Sequence, residues 1–173
     1  WDDEETAATY ALPLPLSAPS KPELWQNFPE DQLFHIGPFT CFKSPQTHIG
    51  PFHWAIDFLV LDGAPVFAAR EGTAIEIKEG FEQWGDGPEF RDHLNYVTIQ
   101  HAGGEFSQYC HLAKGSVSSS GIRPGAWIRK GQQIAVVGKS GWTDRDHLHF
   151  AVFRQDRRKE NPFGFKSLRP RFE

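Results

Sequence analysis

The sequence contains no methionine and no long apolar run. A helix that crosses a bilayer needs roughly 18 consecutive apolar residues, and no segment here approaches that length. The first residues also lack the charged, apolar and small-residue regions of a signal peptide. Because the chain begins at Trp1 without methionine, we expect that its original start has been removed, which is compatible with export.

Positive charge and cysteine are scarce as well. With 18 Lys and Arg against 22 Asp and Glu, the net charge of -4 gives no long-range attraction to phosphate backbones, so nucleic acid is not an expected partner. Cys41 and Cys110 are too few for a disulfide framework and do not form a CxxC pair. They could form one disulfide in an oxidising compartment or remain two buried thiols.

Sustained helical periodicity is absent beyond Trp25. From Phe34 onward, short runs rich in Val, Ile and Phe alternate with Gly, Pro and Asn or Asp, a pattern typical of strands separated by turns. The sequence therefore predicts an all-β domain over residues 34–173. Residues 1–33 are acidic and then proline-rich, and we interpret them as an N-terminal arm laid against that domain.

Asp57 is the first residue whose position indicates chemistry. It lies in the apolar run AIDFLVL, and a buried carboxylate is costly unless it is paired, hydrogen-bonded or bound to a metal. His53 precedes it by four residues. On a flat strand the two would be about 13 Å apart, so the chain must bend between them for both to bind one ion. Gly50 and Pro51 indicate that His53 belongs to a turn.

Two further strands carry histidines. His147 and His149 are two residues apart, so on a strand both would project from one face at roughly 6 to 7 Å, although an HxH pair can also simply face solvent. The same alternation predicts that Tyr109 and His111 share one face, with Cys110 on the other. Two imidazoles and one carboxylate suit a catalytic zinc ion that keeps one position open.

Three segments together resemble the lysostaphin-like and LytM-type family of zinc endopeptidases. GPFHWAIDFLVLDGAPVFAAREGTAIEI is similar to the metal-binding segment of that family, in which an HxGxD motif leads into a strand. NYVTIQHAGGEFSQYCHL resembles the Asn-Tyr-Val segment and the YxHL motif, and GAWIRKGQQIAVVGKSGWTDRDHLHFAV resembles the segment that ends in HLHF. The resemblance extends from about His53 to Pro162.

The resemblance implies roles for five residues. His53, Asp57 and His149 would bind one zinc ion per chain, and His111 and His147 would be catalytic histidines that do not bind the metal. The implied fold is a LytM-type domain of antiparallel sheets, like a sandwich or barrel, with an open groove. The sequence departs from the family at Ala55, where HxGxD usually has Gly, and at Asp146, where Pro usually precedes HLH. Asp146 could raise the pKa of His147 or point to solvent.

The implied activity is hydrolysis of peptide bonds in peptidoglycan stem peptides or cross-bridges, by a monomer outside the cytoplasm. Two alternatives stay open: a catalytically silent module that binds the wall or activates another hydrolase, and a zinc hydrolase with a substrate other than the wall. The resemblance does not say which peptide bond is cut. We expect an open site unless Asn27 of the arm reaches it. The four other histidines are expected in loops or at the surface, with the rim of the cleft as an alternative for His48 or His93: His35, His48, His93 and His101.

Overall fold

The computed structural model of the protein describes residues 3–18, 28–45 and 47–173. Its described elements are almost all strands, with one short helix, α1 (Ser116–Ser119), and 3-10 turns at Glu30–Gln32, Gly50–Phe52 and Pro88–Phe90. The strands are β1 (Glu5–Tyr10), β2 (Leu33–Ile36), β3 (Phe39–Phe42), β4 (Ile56–Phe58), β5 (Pro65–Phe67), β6 (Gly72–Lys78), β7 (Trp84–Gly85), β8 (Tyr96–Gln100), β9 (Glu105–Cys110), β10 (Trp127–Ile128), β11 (Gln133–Val136), β12 (Gly141–Trp142), β13 (Leu148–Gln155) and β14 (Phe165–Phe172).

Ten strands form one large sheet, and this confirms the predicted all-β fold. The order along the sheet is β10-β6-β8-β9-β13-β4-β3-β2, with β14 pairing with β13 and with β1. Apart from the parallel pair of β1 and β14, these strands are antiparallel. Because β10 and β2 at the two ends do not pair, the described strands leave the sheet open and make no closed barrel. Two small sheets, β5 with β11 and β7 with β12, lie beside it.

The centre of the sheet separates a packed core from a polar face. Along β13, Leu148 and Phe150 are fully buried in the core, while His149 between them projects to the opposite side because successive strand residues alternate. Tyr109 on β9 is opposite Phe150 in the register and packs against its ring at 5.3 Å. The core therefore fixes the direction in which His149 points.

The N-terminal segment contributes to this architecture. Strand β1 pairs with β14, and the Tyr10 side chain is fully buried. The buried carboxylate of Glu105 accepts hydrogen bonds from the Tyr10 hydroxyl at 3.0 Å and from the Ala7 amide at 2.6 Å. Leu14 also joins the core. Residues 3–18 of the predicted arm thus add a strand and core side chains, whereas Asn27 lies outside the described residues.

The two cysteines are separated by two strands of the sheet. Cys41 lies on β3 and Cys110 on β9, with β4 and β13 between them. At about 4.8 Å per strand, their backbones are about 14 Å apart, which is beyond the reach of a disulfide. Both are buried free thiols, and burial raises the pKa of Cys41 to about 12. Of the two alternatives from the sequence, the structure has the free thiols.

A close backbone approach at Gly138 generates a prediction about stability. Its amide donates to the His111 carbonyl at 3.0 Å, and an added Cβ would come within 2.6 Å of the Ala113 Cα. Backbone atoms cannot move aside as a flexible side chain can. We therefore expect Gly138→Ala to lower the free energy of unfolding by about 1 to 3 kcal/mol, as measured by chemical denaturation.

Gly80→Ala is the matched control, because a Cβ at Gly80 would meet no atom within 4 Å. This variant should stay within about 0.5 kcal/mol of the parent protein. Equal stability of the two variants would contradict the packing explanation.

Candidate metal centre

Asp57 and His149 meet because their strands are paired. In the register of β4 with β13, Asp57 lies opposite His149, and residues opposite each other on antiparallel strands have neighbouring side chains. The Nδ1 atom of His149 is 3.0 Å from Oδ1 of Asp57. The sheet itself therefore assembles two of the three metal ligands that the sequence predicted.

His48 supplies the third donor. It lies in the segment that precedes the 3-10 turn Gly50–Phe52, and its Nε2 is 3.3 Å from Oδ1 of Asp57. Its ring meets that of His149 edge to face, with 5.0 Å between centroids. His48, Asp57 and His149 each offer one possible ligand atom, and these three atoms all lie within 4.8 Å of one another.

The structure does not bring His53 to this group, contrary to the prediction. Gly50 has a positive φ of 56° and opens the 3-10 turn, and this turn directs the side chain of His53 elsewhere. The His53 ring packs against the ring of Trp54 at 4.7 Å, and burial together with the nearby charge of Lys43 lowers its pKa. The chain does bend before Asp57, as expected, but the bend brings in His48.

A signal for His48 was present in the sequence. The family motif HxGxD contains His-x-Gly, which is intact at His48, Ile49 and Gly50 although Phe52 stands where the motif has Asp, whereas after His53 the Asp is kept and Ala55 replaces the Gly. The expectation that His48 lies in a loop is correct for its backbone, but the residue is buried. His101 is also buried and does not lie at the surface. Its ring forms hydrogen bonds with the Glu71 carbonyl and the Ser107 hydroxyl.

The carboxylate of Asp57 is surrounded by imidazoles. It is 7% exposed, and burial alone would raise its pKa, but the nearby rings of His48, His147 and His149 outweigh burial and hold the pKa well below its ordinary value. In the described part of the chain its ion-pair partners are these three histidines. An anionic carboxylate with two adjacent imidazole donors is a set that fits a divalent cation such as zinc.

His111 and His147 lie beside the donor group with one ring nitrogen fixed. The Nδ1 of His111 is 2.7 Å from the Ser140 carbonyl, and the Nδ1 of His147 is 3.0 Å from the Arg145 carbonyl. Since a carbonyl only accepts, Nδ1 carries the hydrogen in both rings. The centroids of the two rings are 4.7 Å apart, and Nε2 of His147 is 3.7 Å from Oδ1 of Asp57. Nε2 is thus the nitrogen that remains for proton exchange in each ring.

The backbone of His111 departs from the predicted alternation. Its φ of 65° makes it the one non-glycine in the described ranges with a positive φ, a conformation that costs about 1 to 3 kcal/mol. The twist ends the alternation of β9, so Tyr109 points into the core while His111 faces the groove. The prediction that these two share a face is therefore wrong. Burial, with His147 and His149 nearby, lowers the pKa of His111 to about 3.

Asn95 holds the chain directly after His111. It is fully buried, and its side-chain amide donates to the Leu112 carbonyl at 3.0 Å. Its backbone amide donates to the Ser140 hydroxyl at 3.0 Å, and the Ser140 carbonyl in turn holds the His111 ring. These contacts from both sides explain how the strained conformation of His111 persists.

A groove of about 550 Å³ opens over this centre. Trp142 lines it, whereas Trp54 packs against His53 and is not among the lining residues. In the described ranges no helix is long and apolar enough to span a membrane. The described lining residues are Gln32, Phe42, Ser44, Pro45, Thr47, His48, Asp57, Leu59, Asp86, His111, Trp142, Thr143, Asp144, Arg145, His147 and His149.

Comparison with known proteins identifies the family. The model of the family described as "Peptidase family M23" matches residues 51–162, which is more than half of the chain. The chain belongs to peptidase family M23. This confirms the resemblance to lysostaphin-like peptidases. The matched segment contains Asp57, His111, His147 and His149, and His48 lies three residues before it.

Three relatives show how this M23 chain compares with longer proteins. It is 31% identical over 114 residues to an uncharacterized metalloprotease of Haemophilus influenzae, covering 66% of this chain and 21% of the relative. It is 30% identical over 118 residues to the peptidoglycan DD-endopeptidase ShyB of Vibrio cholerae, and the match covers 66% of this chain and 24% of ShyB. Lysostaphin of Staphylococcus simulans is 30% identical over 101 residues, and the match covers 58% of this chain and 18% of lysostaphin. The chain therefore spans a quarter or less of these relatives.

A solved structure supports the fold. The catalytic domain of the prophage-encoded M23 protein EnpA from Enterococcus faecalis, in a mutant form, superposes with a TM-score of 0.51 at 24% identity. The match covers 81% of this chain and 95% of that domain. At this identity the likeness concerns the fold alone.

The placement of His48 and His53 predicts different effects of two matched substitutions. His48→Ala removes a donor next to Asp57, so the protein should no longer retain stoichiometric zinc after dialysis. His53→Ala alters a ring that packs on Trp54 and should leave the zinc content unchanged. Elemental analysis of the two purified variants is the measurement. Loss of zinc from the His53 variant with full retention in the His48 variant would restore the original assignment.

Proposed function

We propose that this M23 chain is a zinc-dependent endopeptidase that hydrolyses peptide bonds in peptidoglycan. The observation that carries the proposal is the donor group of His48, Asp57 and His149, which lies on the floor of an open groove. In this assignment His48 takes the ligand role that the sequence gave to His53, and each chain binds one zinc ion. Zinc in such a site supplies Lewis-acid polarisation of a peptide carbonyl.

The protein's own groups supply proton transfer. His111 and His147 each have Nδ1 bound to a backbone carbonyl, which orients the ring and leaves Nε2 available. One Nε2 accepts the proton of the attacking water, and the other, when protonated, stabilises the developing oxyanion or donates to the leaving amine. Because His147 lies close to the Asp57 carboxylate, its protonated form has a nearby anion. The presence of both histidines favours an active enzyme over a silent module.

The substrate assignment is supported by the relatives. ShyB is a peptidoglycan DD-endopeptidase, and in this chain a groove of about 550 Å³ is lined by the donor group. Peptidoglycan lies outside the cytoplasm, so the proposed function places the protein there. We also propose that it acts as a monomer. The chain shares only part of the length of these relatives, so the activity is tested on this chain itself.

Digestion of purified cell walls tests the proposed function. The protein is incubated with walls, with and without a chelator, and the released fragments are identified by mass. We expect peptide-bond cleavage that stops with the chelator and returns with added zinc. A folded protein with a net charge similar to that of this chain serves as the control substrate. Cleavage of that protein but not of walls would favour a hydrolase with another substrate, and no cleavage of either would favour the silent module.

Ligands and catalytic histidines should respond differently to substitution. Asp57→Ala and His149→Ala remove donors, so zinc content and turnover should fall together. His111→Ala and His147→Ala leave all three donors in place, so zinc should stay bound while the rate of wall hydrolysis drops by about 10²- to 10⁴-fold. Zinc content and rate are measured for each variant. Normal hydrolysis by the His111 variant would exclude that residue from the chemistry.

A further inference from the structure

The groove is lined by the guanidinium of Arg145, which is paired with the adjacent carboxylate of Asp144. Among the described residues that line it, Arg145 is the one Lys or Arg, and the acidic residues besides Asp57 are Asp86 and Asp144. The side chain of Arg145 is 35% exposed, and the residue lines the groove.

The guanidinium of Arg145 is held in one orientation. It stacks over the ring of Phe28 at 4.0 Å from the centroid. Its Nε and Nη2 both bond to the carboxylate of Asp144. The stacked ring and the two bonds together restrict rotation of the planar group. In the described part of the chain, the hydrogens of Nη1 are left for another acceptor, and a guanidinium favours carboxylates with planar geometry.

The position of Arg145 relates this charge to the reacting bond. Its carbonyl accepts the hydrogen of Nδ1 of His147 at 3.0 Å, and its amide donates to the Thr143 hydroxyl at 3.4 Å. Arg145 therefore belongs to the turn that positions His147. Arg145 and His147 both line the groove.

We propose that Arg145 is a specificity-determining residue that binds a free carboxylate of the substrate beside the scissile bond. This inference rests on the proposed peptidase function and specifies its substrate class. The matching substrate is a direct cross-link between stem peptides, in which the acylated amine belongs to a diamino acid with a free carboxylate. A glycine bridge offers no such group, and amidation of the diamino acid removes its charge.

Two cross-linked peptide dimers that differ only in this group test the proposal. One has the free carboxylate on the diamino acid of the cross-link, and the other has the amide. The parent protein should cleave the free acid with a kcat/KM about 10- to 100-fold higher, the range that one charge-assisted hydrogen-bond pair supplies. Arg145→Gln should lower cleavage of the free acid to the level of the amide, with little effect on the amide itself.

Two further variants control this comparison. Asp144→Asn combined with Arg145→Gln removes the anion that the single variant would leave unpaired, and it should show the same loss of discrimination. Arg129→Gln, at an exposed arginine outside the described lining residues, should discriminate like the parent protein. Equal discrimination by the parent protein and both Arg145 variants would overturn the proposal.

Binding of the two dimers separates this inference from the proposed function. In the His111→Ala background, which should retain zinc but turn over slowly, dissociation constants are measured with and without Arg145→Gln. A preference for the free acid that depends on Arg145 supports the inference even if the parent protein, with His111 intact, cleaves neither dimer; in that case only the proposed function is wrong. Equal affinity for both dimers in the presence of Arg145 would contradict the inference.

Discussion

The buried carboxylate of Asp57 is the constraint on which the site depends. Its removal from water is unfavourable, and its described ion-pair partners are imidazoles that come from separate parts of the chain. His149 arrives through the sheet register, His147 through the turn before β13, and His48 through the segment before a 3-10 turn. A bound cation would compensate the same charge and satisfy the same donors. The arrangement is therefore compact, with three imidazoles gathered around one carboxylate.

Backbone features beside the sheet complete the centre. His111 has a left-handed conformation, which is tolerated because Gly138, Asn95 and Ser140 bond to the chain around it or to its ring. Strained conformations persist at functional sites when their surroundings fix them in this way. Here the strain turns the ring away from the core face of β9 and into the groove. The same turn region that carries Arg145 holds the ring of His147.

Strand periodicity was sufficient to predict part of this structure. The short alternating runs predicted the all-β fold, and alternation along β13 explains why His149 faces away from the buried Leu148. The structure places Asp57, His111, His147 and His149 near one another, with His48 rather than His53 beside Asp57. Spacing along a chain cannot say which of two histidines a turn directs inward, because that depends on the tertiary path of the loop. The pairing of β1 with β14 joins opposite ends of the chain, and local patterns do not reveal such contacts.

Anomalous diffraction at the zinc absorption edge, from crystals of the zinc-supplemented protein, tests the central claim most directly. The account predicts one peak per chain, at about 2.0 to 2.2 Å from Nε2 of His48, a carboxylate oxygen of Asp57 and Nδ1 of His149. His111 and His147 should lie outside bonding distance. A peak coordinated by His53, or no peak between His48, Asp57 and His149, would contradict it.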